Sequence, residues 1–393
     1  MKPVTPLLES NFNPHLTICR ENHFVQDFSN YTEDEFEWFF YSKMDHIIIG
    51  IVMPIILSFG LLGNALFIFT TFRVKSMRTI TNFYLINLAT ADACYLTFGI
   101  GEKLACLYTS TVHSDVSAFG ITWCMVVFPL SRMCAFASLF LVTLVTLDKY
   151  HAICRPLKHR IRTSPSRSHT KYVILGAWTT AFCVAATTIP ASSRFITSCV
   201  VYPDKETYAE HPIVVNYCFP ARLWVTSVVN GIQTLPFFFA LFPNFFMYFQ
   251  IIRRLSDRVV GRNIPQFVRN GTKMRNAVAK MLVLNGLVFF LCNMPFYAVS
   301  LMYMLLYFAS SSVRERWQEG LQSVQPYIQL LLYVNSAVNP YIYDVVNKTY
   351  RKSLYQAFQC GSHSQAVKKY EARRTTSSGV HVTTEIRSAE THI

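Results

Sequence analysis

The sequence predicts an all-α membrane protein, and three observations carry that prediction. Of its 393 residues, 52% are hydrophobic and only 15% charged, against about 25% charged in soluble domains. The apolar residues gather into seven stretches, at roughly 47–72, 80–101, 124–147, 172–190, 223–252, 281–309 and 321–343. Each approaches or exceeds the roughly 20 residues a helix needs to cross about 30 Å of hydrocarbon. The basic residues then alternate between loops. Residues 73–79, 148–171, 253–280 and the chain from 344 hold 26 of the 36 Lys and Arg. Backbone groups in lipid must be satisfied within the segment, so the spans are helices. The expected fold is a seven-transmembrane helix bundle, residues 47–343.

The net charge of +14 alone would suit a nucleic-acid binder. Its confinement to alternate loops makes it a topology signal instead, with the N-terminus outside, the tail in the cytosol and no nucleic-acid partner. Residues 1–46 are acidic and polar and read as a largely disordered extracellular segment. They show no signal peptide, so the first span is expected to direct insertion. The sequon at Asn30 falls outside and is expected to be glycosylated. Those at Asn270 and Asn347 fall inside. Five cysteines, Cys19, Cys106, Cys124, Cys199 and Cys218, lie at or near the outer face, where disulfides form.

Inside the spans, Asp92 and Arg132 are the only formal charges. Intramembrane polar groups are costly and mark function. Asn64 in span 1, Asp92 in span 2, Ser138 in span 3 and Asn335, Ser336 and Asn339 in span 7 converge if their faces meet. That cluster would hold Na⁺ by oxygen ligands, or a proton; the bland alternative is hydrogen-bond glue between helices. No other cofactor is expected. Pro295 and Pro340 interrupt spans 6 and 7 and favour kinks.

The outer loop at 191–222 has two β-branched-rich runs, "RFITSCVVYP" and "HPIVVNYCF", around the polar "DKETYAE". It reads as a β-hairpin. After span 7, Tyr350, Leu354 and Phe358 recur at i, i+4 and i+8 beside Lys348, Arg351 and Lys352. Residues 344–360 therefore read as a short amphipathic eighth helix on the inner leaflet, with Cys360 a palmitoylation candidate. Residues 361–393 read as a disordered cytosolic tail. No internal repeat, phosphate loop, zinc spacing or nucleophile triad appears, and the loops leave no room for a catalytic domain. The chain is not read as an enzyme. Transporters show internal repeats and paired broken helices, which are missing here.

These motifs, in this order, resemble the rhodopsin-like (class A) G-protein-coupled receptors over roughly residues 45–360. Gly63-Asn64 matches the family's span 1 motif and "LINLATADA" its span 2 motif. Trp178 matches the span 4 tryptophan, and Asn339-Pro340-xx-Tyr343 the span 7 motif. Cys124 stands 25 residues before Lys149, as the family's outer cysteine does before its charged triplet. The resemblance implies a multi-pass plasma-membrane receptor. Asp148-Lys149-Tyr150, with Tyr343, would face a heterotrimeric G protein. It also implies a disulfide from Cys124 to the hairpin, with Cys218 or Cys199 as partner and the other free to pair with Cys19 or Cys106.

Two departures bear on mechanism. Lys149 stands where the family usually has Arg, a point charge in place of a planar fork. Asn293, in "FFLCNMPF", replaces the family's tryptophan; this Cys-Asn-x-Pro form is similar to invertebrate peptide receptors, including the FMRFamide-receptor-like group. Both Pro236 and Pro243 suit span 5, and Tyr248 fits the family spacing to neither, so that register stays open.

Ligand classes narrow by chemistry. Retinal needs a Schiff-base lysine in span 7, and 321–343 contain none. Amine receptors carry an Asp where this chain has Ser131. Arg132, nearby, can bind a carboxylate or amide carbonyl. Glu102, Lys103, Asn293 and Tyr297 complete the expected ligand contacts; Glu102 and Lys103 read equally as a mutual pair. The hairpin and acidic N-terminal segment favour an extracellular neuropeptide, basic or amidated. A lipid or other small molecule, or impaired coupling, is the alternative. Thr375, Thr376, Ser377, Ser378, Thr383 and Thr384 would recruit arrestin once phosphorylated. The ending Thr391-His392-Ile393 resembles a PDZ-binding terminus.

Overall fold

A computed structural model describes residues 24–155, 167–204, 206–257 and 266–359. Its frame is seven long helices: α1 (Lys43–Arg73), α2 (Ile80–Thr109), α3 (Trp123–Cys154), α4 (Arg167–Ala186), α5 (Leu223–Asp257), α6 (Gln266–Leu306) and α7 (Ser311–Val346). A shorter α8 (Lys348–Phe358) follows. The chain order closes a ring. α1 touches α2 and α7, α6 touches α5 and α7, and α3 reaches α2, α4, α5 and α6.

Helix starts obey local chemistry. Ser42 caps α1 reciprocally: its Oγ accepts from Asp45 N–H, and Asp45 accepts from Ser42 N–H at 2.9 Å. Thr79 Oγ1 accepts from Asn82 N–H at 3.2 Å to start α2. Asn347 accepts from Thr349 N–H at 3.0 Å and so separates α8 from α7. Caps and tertiary packing move several boundaries from those read in sequence. α1 begins at Lys43 rather than 47, α6 at Gln266 rather than 281 and α7 at Ser311 rather than 321. α4 ends at Ala186, and Pro190 sits in a separate turn, Ile189–Ser192. α5 runs through both Pro236 and Pro243.

The outside of the bundle is greasier than a water-facing surface allows. Phe239, Phe242 and Phe249 on α5 are 74%, 70% and 63% exposed, and Phe59 and Leu62 on α1 are exposed too. Asn64, Asp92 and Asn339 are buried. Apolar out and polar in is the arrangement lipid selects. Six of the helices are long and apolar enough to cross a membrane. α7 is as long, but Asn335, Ser336 and Asn339, all buried, dilute its apolar character. Close approach of α1 to α2 and α7 depends on Gly60. A Cβ there would lie 2.3 Å from Leu96 and 3.2 Å from the Ala337 backbone.

One end of the bundle is covered by a three-stranded sheet. β2 (Arg194–Val201) pairs antiparallel with β3 (Val214–Phe219), and β1 (Phe24–Asp27) pairs parallel with β2, Phe24 opposite Ser198. Residues 24–46 are therefore ordered, against the sequence reading of 1–46 as largely disordered. The reason is nonlocal: Phe28, Phe36 and Phe39 are buried in one cluster with Val112, Val200, Tyr202 and Val215. Asn30 lies in an exposed turn just after β1.

Candidate functional site

Four features lie along the bundle axis. At the sheet end, Cys124 on α3 bonds Cys218 on β3, with their Cα atoms 5.7 Å apart. Cys199 is also disulfide-bonded and Cys106 is a free, buried thiol. Cys106 is therefore not its partner, and Cys19 lies outside the described residues. Asp115, also buried, accepts from Asn216 N–H at 2.9 Å and so fastens the α2–α3 loop to β3. Two histidines sit in this lid. His211 packs 4.4 Å from the Phe40 ring and shares a 2.7 Å hydrogen bond with Thr111. His113 packs 4.9 Å from Tyr41. Burial lowers the pKa of both below the usual histidine value.

Below the sheet, a cavity of about 330 Å³ opens between α3, α5, α6 and α7, lined by Arg132, Asn230, Phe296, Ser300, Tyr303 and Gln325 among others. That is the size of a small ligand pocket. Arg132 stands between two rings, 5.1 Å from Phe128 and 5.0 Å from Phe296. A smaller cavity of about 120 Å³ shares Ser227 and Tyr303 and adds Arg314. Not every expected contact reaches this space. Glu102 and Lys103 pair with each other at 3.4 Å, and Ser131 is buried in α3. Asn293 donates to Phe289 O in its own helix at 2.8 Å. Tyr297 is buried and stacked 4.2 Å from Phe237. None of these five side chains is among those lining the cavity, whose wall Arg132 joins.

At mid-depth, the buried Asp92 carboxylate accepts from Ser138 Oγ at 2.8 Å and from Asn339 Nδ2 at 2.6 Å. Ser336 lies against the same carboxylate, and its carbonyl accepts from Asn64 Nδ2 at 3.1 Å. The amide oxygens of Asn64, Asn335 and Asn339, and the Tyr343 hydroxyl, are buried without a partner among the described residues. Unpaired buried acceptors around one carboxylate leave a demand for water or a cation. An all-oxygen donor set suits a hard cation such as Na⁺, although Asn335 makes no bond to the carboxylate itself.

At the far end, Lys149 Nζ lies 3.0 Å from Asp148 Oδ2 and donates to Thr81 Oγ1 on α2. Thr81 donates to Asp148 at 3.3 Å. Tyr150 is partly buried beside Phe246 of α5. Sequence reasoning gave no part to Thr81, nor to the arrangement around Tyr248. The Tyr248 hydroxyl meets Thr146 Oγ1 at 3.1 Å and occupies the space a Gly286 side chain would fill: a Cβ there would lie 1.7 Å away. The tyrosine's misfit to the proline spacing was the one hint. The aromatic run "FEWFFY" was a comparable hint of the ordered lid.

A seven-helix bundle with a disulfide-fastened lid, a cavity beneath it, a buried carboxylate at mid-depth and a charged triplet at the other end defines a membrane receptor, not an enzyme. The chain belongs to the rhodopsin family of 7 transmembrane receptors, whose model matches residues 63–343. Among curated proteins it is similar to somatostatin receptor type 2 of Sus scrofa, 24% identical over 88% of this chain and 84% of that one. It is also similar to galanin receptor 2a of Danio rerio, 25% identical over 83% and 82%. The neuromedin-K receptor of Homo sapiens is 27% identical over 78% of this chain and 60% of its own length.

Proposed function

We propose that this receptor binds an extracellular peptide at the sheet end and passes the signal to a heterotrimeric G protein at the triplet end. On this reading the N-terminus lies outside and the tail in the cytosol of a plasma-membrane protein. The observation that carries the reading is the lid. A sheet fastened to α3 by Cys124–Cys218 stands over a cavity bearing Arg132, and its β-strands offer backbone contacts to an extended chain. The proteins it resembles are receptors for peptide hormones by name, which agrees. Ligand binding acts only through its different affinity for two packings of the bundle. Tyr343 and Asp148-Lys149-Tyr150 form the coupling surface.

The test is a peptide library on cells expressing the chain, read by G-protein activation and by arrestin recruitment. A saturable peptide response supports the reading; a response only to lipids or amines overturns it. Asp92, Ser138, Ser336 and Asn339, with Asn335 behind them, are assigned to a Na⁺ or proton site. If Na⁺ binds there, Asp92→Asn abolishes the effect of NaCl, measured against choline chloride, on ligand affinity. An unchanged salt effect removes the assignment. Cys360, the tail phosphosites with arrestin, and the PDZ-binding terminus remain proposals that lie outside the described residues. Lys149, in place of the family's usual Arg, favours a second reading in which the receptor couples weakly.

A further inference from the structure

The cavity carries charge of one sign. Among the described residues, Arg132 is the single charged one lining the larger space, and Arg314 the single one lining the smaller space that shares Ser227 and Tyr303 with it. No carboxylate lines either among the described residues. The acid that Arg132 feels electrostatically is Glu102, and Glu102 sits 3.4 Å from Lys103, which already offsets its charge. Arg132 makes no hydrogen bond and no ion pair within 4.0 Å among the described residues. The two phenyl rings of Phe128 and Phe296 hold it.

Ring faces attract a cation but accept little from its in-plane N–H groups. A guanidinium has five such donors. Half-buried and without an acceptor, they want a planar anion, and a carboxylate accepts two parallel bonds from the fork. A terminal amide offers one carbonyl, leaves the charge uncompensated and brings its own N–H donors toward two cations. Outside the cavity the balance reverses. The N-terminal segment and the three loops on the sheet side hold 15 acidic and 9 basic residues. A ligand that is cationic at its outer end and anionic at its buried end fits both fields.

We propose that the cavity takes a carboxylate, with Arg132 its counter-charge and Arg314 flanking the outer passage. Building on the peptide reading, the ligand is a peptide whose buried end is a free C-terminal acid or an acidic side chain, not an amidated terminus. This replaces the amidated ligand expected from sequence.

The experiment uses the full chain in cells and a peptide library made in matched forms: free acid, C-terminal amide, and Asp or Glu replaced by Asn or Gln. Removing one carboxylate from an active peptide should cost about thirty-fold or more in potency, the scale of losing one partner of a desolvated charge pair. Which form loses potency tells the C-terminus from a side chain. Arg132→Gln should lose the same factor toward the intact ligand and nothing further toward the neutral one. Equal potency of charged and neutral forms, or an Arg132→Gln shift equal for all forms, overturns the proposal and leaves the peptide reading standing.

Arg132→Lys at matched surface expression controls for folding. In a second arm, the purified full chain is heated with N-acetyl-phenylalaninate or N-acetyl-phenylalaninamide at millimolar concentration. If no peptide activates but the acid alone stabilises wild type and not Arg132→Gln, the carboxylate site holds and the peptide reading falls. If acid and amide behave alike, the carboxylate site falls.

Discussion

At the sheet end, segments far apart in sequence are joined by a disulfide, a three-stranded ladder and a cluster of stacked rings. At the triplet end, Lys149, Asp148 and Thr81 meet through two hydrogen bonds and one ion pair, each worth roughly 1 kcal/mol or less when partly solvated. One end is built to hold a shape and the other to let go of one. A receptor needs both. On the proposed function, the lid would keep the ligand-binding end in shape, and the weak end would be reorganised by the few kcal/mol a ligand's differential affinity supplies.

The largest effect should come from breaking the rigid end. Cys218→Ser frees β3 from α3, and loss of such a crosslink removes about 2–5 kcal/mol. Surface expression and ligand response should both fall steeply. Cys106→Ser, at a free thiol, should leave both near wild type. If Cys218→Ser signals normally at normal expression, the lid is not what keeps the cavity formed.

The next effect lies between the two ends. Gly286→Ala places a methyl where the Tyr248 hydroxyl sits, so the phenol must leave Thr146 and loosen the contact of α3, α5 and α6. Overpacking of this kind costs about 1–3 kcal/mol. Basal nucleotide exchange should rise and thermal stability drop. Tyr248→Phe removes only the hydrogen bond, about 1 kcal/mol, and should do less. Equal basal activity in all three forms would mean that this contact does not restrain the active packing.

The same contrast explains what the sequence made legible. Helices, caps and the polar positions of α2, α3 and α7 depend on local pattern and on motif spacing, so Asp92, Ser138 and Asn339 could be read as neighbours. The lid could not. β1 meets β2 across 174 residues, and nothing within residues 24–46 says which strand they join. Side-chain direction was equally hidden. Asn293 is expected in the ligand site, but its amide reaches back to the Phe289 carbonyl four residues earlier in its own helix, and Tyr297 finds the Phe237 ring instead. Arg314, which lines the smaller neighbouring cavity, lies outside all seven spans read from hydropathy, in the first turn of a helix that starts earlier than its apolar run.

At the weak end, Lys149→Arg tests whether looseness is intended. An arginine fork could bind Asp148 by two bonds where lysine makes one. The resting contact should tighten, and basal signalling should fall a few-fold at equal surface expression while thermal stability stays within about 0.5 kcal/mol. Identical basal and maximal responses would mean that the Lys149–Asp148–Thr81 contact does not hold the resting state.

The smallest effect returns to the lid and sets a limit on its rigidity. Burial lowers the pKa of His113 and His211, so the folded lid prefers both rings neutral. The sign follows: their contribution is complete above the unfolded histidine value of about 6.5 and is lost as pH falls below it. Glu210 beside His211 and Asp45 near His113 oppose the shift, and Lys103 adds to it at His113. Protonated His211 would also put a cation among Phe40, Tyr202 and Tyr208, where ring faces partly compensate it. Hence the change should be modest, a few-fold in ligand dissociation rate between about pH 7 and pH 5.5. His211→Phe keeps a ring against Phe40 and removes the titration, so its pH dependence should flatten toward that of His113 alone. A wild-type dissociation rate that does not move with pH would show the lid to be indifferent to these charges, and its stability to rest on the disulfide and the rings.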